Sequence, residues 1–225
     1  MALSKQQIDE LFIFTEKKFV KWYDLQLELV DHLANKIEEE LEQNPNTNLE
    51  TALKKVYATF GIFGFARIVR EKEESVRKFN DKLWKKEFLN LFVWPNLLKS
   101  IAIFFILKVM VENIPVPYIV LTGMATSIIN FIYQLRLNKK QSKENKKLLL
   151  TINGLTPNVI GTGYLQTWFM LTHFDDAGNL LGPNKYVLLA ILFLITLSYI
   201  ASVNVATKIY AKAKELYPEA FNIAG

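Results

Sequence analysis

Asp24, Glu28, Asp31 and His32 come nearest to a recognisable chemistry. On a helix the three carboxylates fall at intervals of four and three and share one face, beside an imidazole. That is a donor set for a divalent cation. Such sites normally draw ligands from more than one element and orient them with further hydrogen bonds. No second histidine stands nearby, since the other one is His173. A solvated acidic face is the preferred reading, with His32 capping or packing on a neighbouring helix. His173 with Asp175 and Asp176 is the other cluster, on a loop, and is not read as a catalytic centre. No Ser-His-Asp set, zinc motif, phosphate-cradling glycine loop or carboxylate pair stands in a plausible site. With no cysteine, thiolate chemistry and disulfides are ruled out. No enzyme, metal or cofactor is expected.

A second polar group lies in an apolar setting. Asn153, Pro157, Asn158 and Gln166 interrupt Leu148 to Thr172, 25 positions without a charge. Pro157 removes a backbone hydrogen bond and bends a helix, and broken helices build midplane sites in transporters. A small transporter is therefore the alternative function. Without a carboxylate in any apolar stretch, cation coupling is hard to build. A kinked packing helix is preferred.

The elements that must position these residues follow from charge. Asn113 to Leu135 is uncharged for 23 positions, and a basic loop follows with Arg136, Lys139, Lys140, Lys143, Lys146 and Lys147 against Glu144 alone. About 20 helical residues cross a bilayer, and short Lys/Arg-rich loops stay inside. Four spans are expected, at about 94–112, 116–135, 148–172 and 186–206. Pro95 would start the first, after an elbow from Phe88 to Asn96 along the surface. Lys99 and Lys108 would snorkel to the two interfaces. The turns 111–117 and 173–185 are poor in basic residues and suit the outer side. Lys208, Lys212 and Lys214 place the C-terminus inside. The basic loop would meet anionic lipid headgroups, at about 1 kcal/mol per Lys or Arg.

Charge also separates two parts. Residues 1–90 carry 15 basic and 16 acidic side chains, a balance of −1, and residues 91–225 carry 12 and 6, a balance of +6. The excess behind the isoelectric point near 9.2 thus lies in the membrane part. No basic stripe marks the N-terminal part as a nucleic-acid binder. Charges at Lys5, Asp9, Glu10, Glu16, Lys17 and Lys18 leave no signal-peptide core.

The N-terminal part reads as four amphipathic helices. Ser4 caps the first. Leu25, Leu29, Leu33, Ile37 and Leu41 repeat every four residues in the second, and Asn44-Pro45-Asn46 stops it. Thr47 with Glu50 forms a capping box for the third. Gly61 sits where a C-cap glycine would, and a fourth runs from about Phe65 towards Trp84.

The stretches Leu27-Glu28-Leu29-Val30-Asp31-His32-Leu33, Leu49-Glu50-Thr51-Ala52-Leu53 and Phe60-Gly61-Ile62-Phe63-Gly64-Phe65-Ala66-Arg67-Ile68-Val69 resemble the HAAS-type helical domain. The likeness covers roughly residues 20–75. It departs at Ile62-Phe63, where that family often has proline after the glycine. The resemblance implies an interaction or regulatory domain preceding membrane helices in small bacterial proteins, in some relatives controlled alongside a PadR-type repressor. It carries no catalytic residue.

The expected architecture is all-α: an N-terminal cytoplasmic helical bundle (1–88), a four-helix transmembrane bundle (89–214) and a cytoplasmic tail (215–225). It would lie in the bacterial inner membrane with both termini inside. The expected role is a non-enzymatic accessory, scaffold or regulatory subunit bound to another membrane protein. Contact residues would be Glu28, Asp31, His32, Phe60, Gly61, Phe63, Gly64 and Phe65, with no nucleic acid involved.

Overall fold

The computed structural model describes residues 3–114, 118, 132, 147–153 and 185–221. Every regular element among them is a helix, and none is a strand. The chain divides into two compact units. The first comprises Met1–Lys78, Lys146–Gly154 and Ala213–Gly225, and the second Phe79–Asn145 and Leu155–Lys212.

In the first unit α1 (Lys5–Lys17) opens on Ser4, whose hydroxyl accepts from the Gln7 N–H while the Gln7 side chain accepts from the Ser4 N–H. That reciprocal box satisfies two donors left over at a helix start. The helix closes with the Val20 N–H on the Thr15 carbonyl (3.1 Å) and the Phe19 N–H on that of Glu16 (2.9 Å). This is a Schellman closure, whose left-handed position usually falls to glycine. Here Phe19 occupies it, at φ +66°.

Helix α2 (Tyr23–Gln43) buries Leu25, Leu29, Leu33 and Ile37. Burial of each aliphatic side chain contributes about 1.5–3 kcal/mol. Against this stripe pack Leu11 from α1, Ala52 and Val56 from α3 (Leu49–Ala58), and Phe65. The cap of α3 is Asn48, whose side chain accepts from the Thr51 N–H at 2.8 Å. The Thr47–Glu50 box is not formed: Thr47 turns back to bond the Asn44 carbonyl, and Glu50 pairs with Lys54 one helical turn on. Asparagine caps as well as threonine or better, so the start moves one residue along. Helix α4 (Ala66–Asn90) runs six residues beyond Trp84 and contributes to both units.

Two segments from far along the chain complete the first unit. One is the single helical turn α6 (Leu150–Asn153) with the residues before it. The other is the end of α7 (Lys185–Leu216) with the short 3-10 turn Pro218–Ala220. Tyr23, Leu149, Ala213 and Ala220 form a buried cluster there, bordered by Phe12, Leu27, Ile152, Tyr217 and Phe221.

The second unit holds the rest of α4, α5 (Asn96–Asn113) and most of α7. Leu91, Leu197 and Ala201 are its buried centre, with Trp84, Phe88, Ile103 and Phe193 around them. Phe104 meets Phe193 edge to face at 5.6 Å. The Trp84 indole N–H donates to the Ser202 hydroxyl (3.1 Å), and the buried Ser100 hydroxyl donates to the Leu91 carbonyl (2.7 Å). Buried Glu87 accepts from Lys208 at 2.7 Å. Between α4 and α5 the chain turns through Phe92, Val93 and Trp94, all exposed, to the cis Trp94–Pro95 bond, and α5 begins one residue later. One helix among the described residues, Leu189–Leu216, is long and apolar enough to cross a membrane.

Candidate functional site

Asp24 lies in the first turn of α2, with its backbone already committed to the helix. Its side chain reaches across to the opening of α6. Oδ1 accepts from the Leu150 N–H at 2.9 Å, Oδ2 accepts from the Thr151 N–H at 3.1 Å, and the Thr151 hydroxyl donates to Oδ2 at 2.6 Å. Oδ1 also accepts from the Leu25 N–H at 3.1 Å. The first N–H groups of a helix lack partners within it, and a negative charge suits that end. Asp24 thus serves as the N-cap of α6 from 126 residues away.

Its neighbours tighten the same junction. The Tyr23 N–H donates to the Leu148 carbonyl at 2.7 Å, the Lys147 ammonium lies 3.7 Å from the Tyr23 ring centre, and the Tyr23 hydroxyl donates to Glu219 at 3.2 Å. Burial raises the Tyr217 phenol above its usual value, and the Asp24 charge adds to the rise. Tyr217 therefore stays neutral at any ordinary pH. Three parts of the chain meet here: the start of α2, residues 147–153 and residues 213–221. With the Asp24 oxygens committed to four donors, the arrangement can hold a segment in place.

The other expected residues divide. Glu28 is exposed and pairs with Lys72 of α4, while Asp31 and His32 are exposed on α2. Asp24 and Glu28 are thus engaged with different partners, and among the described residues no group of three or more His, Asp or Glu is placed to hold a metal ion. In the turn after α3, Phe65 is buried and Phe60 half-buried, while Gly61 and Phe63 are exposed and Gly64 is buried. Phe14, Tyr57, Phe60 and Phe65 form one aromatic cluster, with ring centres 5.0 Å apart for Tyr57–Phe65 and Phe60–Phe65 and 5.1 Å apart for Phe14–Tyr57.

Asn153 is the last residue of α6. Pro157, Asn158, Gln166, His173, Asp175 and Asp176 lie outside the described residues, as do Arg136, Lys139, Lys140, Lys143 and Lys146. Tyr23, Thr151 and Glu219 were not singled out from the sequence. Their partners are remote in the chain, and no local spacing marks them. No family model, curated protein or solved structure matches the chain.

Proposed function

We propose that this chain is a non-enzymatic integral protein of the bacterial inner membrane, acting as an accessory, scaffold or regulatory subunit. In this reading four spans at about 94–112, 116–135, 148–172 and 186–206 follow a HAAS-like cytoplasmic helical domain at 1–88. Both termini are cytoplasmic, and the basic loop 136–147 faces anionic headgroups. The observation that carries the membrane reading is the apolar length of Leu189–Leu216. Helix α5 supports it, because Leu98, Ile101, Phe105, Ile106 and Val109 are all exposed on an 18-residue helix. Contiguous apolar surface of that extent calls for lipid or a partner.

The clamp at Asp24 supports the regulatory part. It ties the helical domain to the residues that open the third apolar stretch and to the C-terminal tail. A partner docked on the exposed Asp31–His32 side of α2 would shift whatever equilibrium that clamp has, by as much as its affinity differs between clamped and released states. Purification of the tagged chain from membranes in mild detergent tests the role. A stoichiometric second membrane protein is expected. A chain that purifies alone, and is stabilised by a small solute instead, overturns the reading.

A further inference from the structure

The most exposed large apolar side chains in the first unit sit at two chain tips. Phe19 is 91% exposed, Ile62 99% and Phe63 76%. Neither tip is a loose end. Phe19 is fixed by the Schellman closure of α1, and its φ of +66° is a conformation that L side chains rarely adopt. Glycine would hold that corner without strain. Ile62 and Phe63 are the two corners of a turn closed by the Gly64 N–H on the Gly61 carbonyl at 3.1 Å, with positive φ at both glycines. Phe60 and Phe65 point into the aromatic cluster while the two residues between the glycines stand out of it.

Both tips are built on the same ring. The Lys18 ammonium lies 4.7 Å from the Tyr57 ring centre and 5.5 Å from that of Phe14. At the hydroxyl end of the same ring, a Cβ at Gly64 would stand 2.9 Å from Tyr57 Cζ. Around the tips the charge is mainly positive: Lys17, Lys18 and Lys21 flank Phe19 and are exposed, and Arg67 follows the turn. Glu16, Glu71 and Glu73 are acidic neighbours; Glu71 is paired with Arg67 at 3.3 Å, and Glu73 accepts from the Trp22 indole beneath Lys21 at 3.1 Å.

We infer that Phe19, Ile62 and Phe63 form a lipid-contacting edge that enters the headgroup layer of an anionic bilayer. Each tip presents an exposed apolar side chain with exposed basic residues nearby. A fluid interface closes around each tip, takes the apolar end to the acyl boundary and leaves the ammonium groups among anionic headgroups. The Lys18 and Lys21 ammonium groups, set over the Tyr57 and Trp22 rings, suit that boundary. A position kept strained and bare by Phe19 gains a purpose there. The inference rests on the membrane reading above, since the bilayer concerned is the one the chain spans.

The chain has no native cysteine, so single labels are clean. Ile62→Cys and, separately, Leu194→Cys on α7 are labelled with an environment-sensitive fluorophore in the full chain. Each is placed in nanodiscs of phosphatidylglycerol with phosphatidylcholine, or phosphatidylcholine alone, carrying a spin-labelled lipid quencher. The Ile62 label is expected to be blue-shifted and quenched in the anionic discs. Most of the quenching should be lost with Lys17→Gln plus Lys21→Gln, or with Phe19→Gly, a change that relieves the strained corner and so cannot act by unfolding α1. A water-like, unquenched Ile62 label beside a quenched Leu194 label overturns the lipid edge and leaves the membrane reading standing. Both labels unquenched overturns both, and so does quenching at Ile62 alone, which removes the spans on which the edge depends. Shielding that appears only in discs holding two copies assigns the tips to self-association and also overturns the inference.

Discussion

Gly61 and Gly64 stand three residues apart in one turn, both at positive φ, +74° and +48°. Their tolerance should differ sharply. A Cβ at Gly61 meets nothing within 4 Å, so Gly61→Ala carries only the left-handed cost, about 1 kcal/mol. At Gly64 the same methyl collides with the Tyr57 ring end, and Tyr57 is held by Phe14, Phe65 and the Lys18 ammonium. Strain and overpacking together predict that Gly64→Ala costs roughly 2–4 kcal/mol. Denaturant melts of the two variants side by side check this, and equal losses would show that Tyr57 swings aside freely. The glycines were visible in the sequence, but their inequality was not. It depends on which ring the fold brings against one of them. Phe19 was less legible still, because the rule that puts glycine at a Schellman corner argues against a phenylalanine there.

At the scale of the element, hydrogen-bond partners decide how far sequence reasoning reaches. The Ser4 cap and the Leu25–Leu29–Leu33–Ile37 stripe depend on neighbours within a few residues, and the structure forms both. The α3 cap moved by one residue because Asn48 and Thr47 offer competing oxygens. Asp24 depends on Leu150 and Thr151, which no local window contains. Replacing it tests the clamp directly. Asp24→Ala removes an acceptor from four donors and should cost roughly 2–3 kcal/mol, with faster hydrogen exchange at the Leu150 and Thr151 amides. Unchanged exchange at those two amides would mean that α6 is held by Leu149 and Leu150 packing instead. A second link joins α2 to α3: Glu40 accepts from Lys55 at 2.7 Å. That hydrogen bond, with the nearby Lys55 charge, holds the Glu40 carboxyl below its usual range. A carboxyl lowered on folding stabilises above its unfolded value, near 4.3, and the benefit is lost as pH falls through the lowered folded value. With Lys55→Met the Glu40 titration followed by NMR should return towards the ordinary range, and acid unfolding should lose that portion of its pH dependence.

At the scale of the molecule, the all-helical character of the described residues was legible because helix-period stripes and uncharged stretches need no tertiary knowledge. The composition of the first unit was not legible. Residues 148–153 read as the start of the third span and residues 215–225 as a tail, and the structure packs Leu149 and Ala220 against Tyr23. Helix α7 runs ten residues past Ala206, because Ala211 to Leu216 are all good helix formers and the lysines at 208, 212 and 214 stay exposed. Charge sets where an apolar stretch ends, and helix propensity sets where the helix ends. The two need not coincide.

The clamp also has a consequence in time. A ribosome adds roughly 5–20 residues each second, and Tyr23 waits for Glu219, 196 residues later, so the interval is on the order of ten to forty seconds. Through that interval the Tyr23 hydroxyl lacks its carboxylate partner, while the Asp24 carboxylate waits a shorter 126 residues for the Leu150 N–H. Any product released before Glu219 lacks that first hydrogen bond for good.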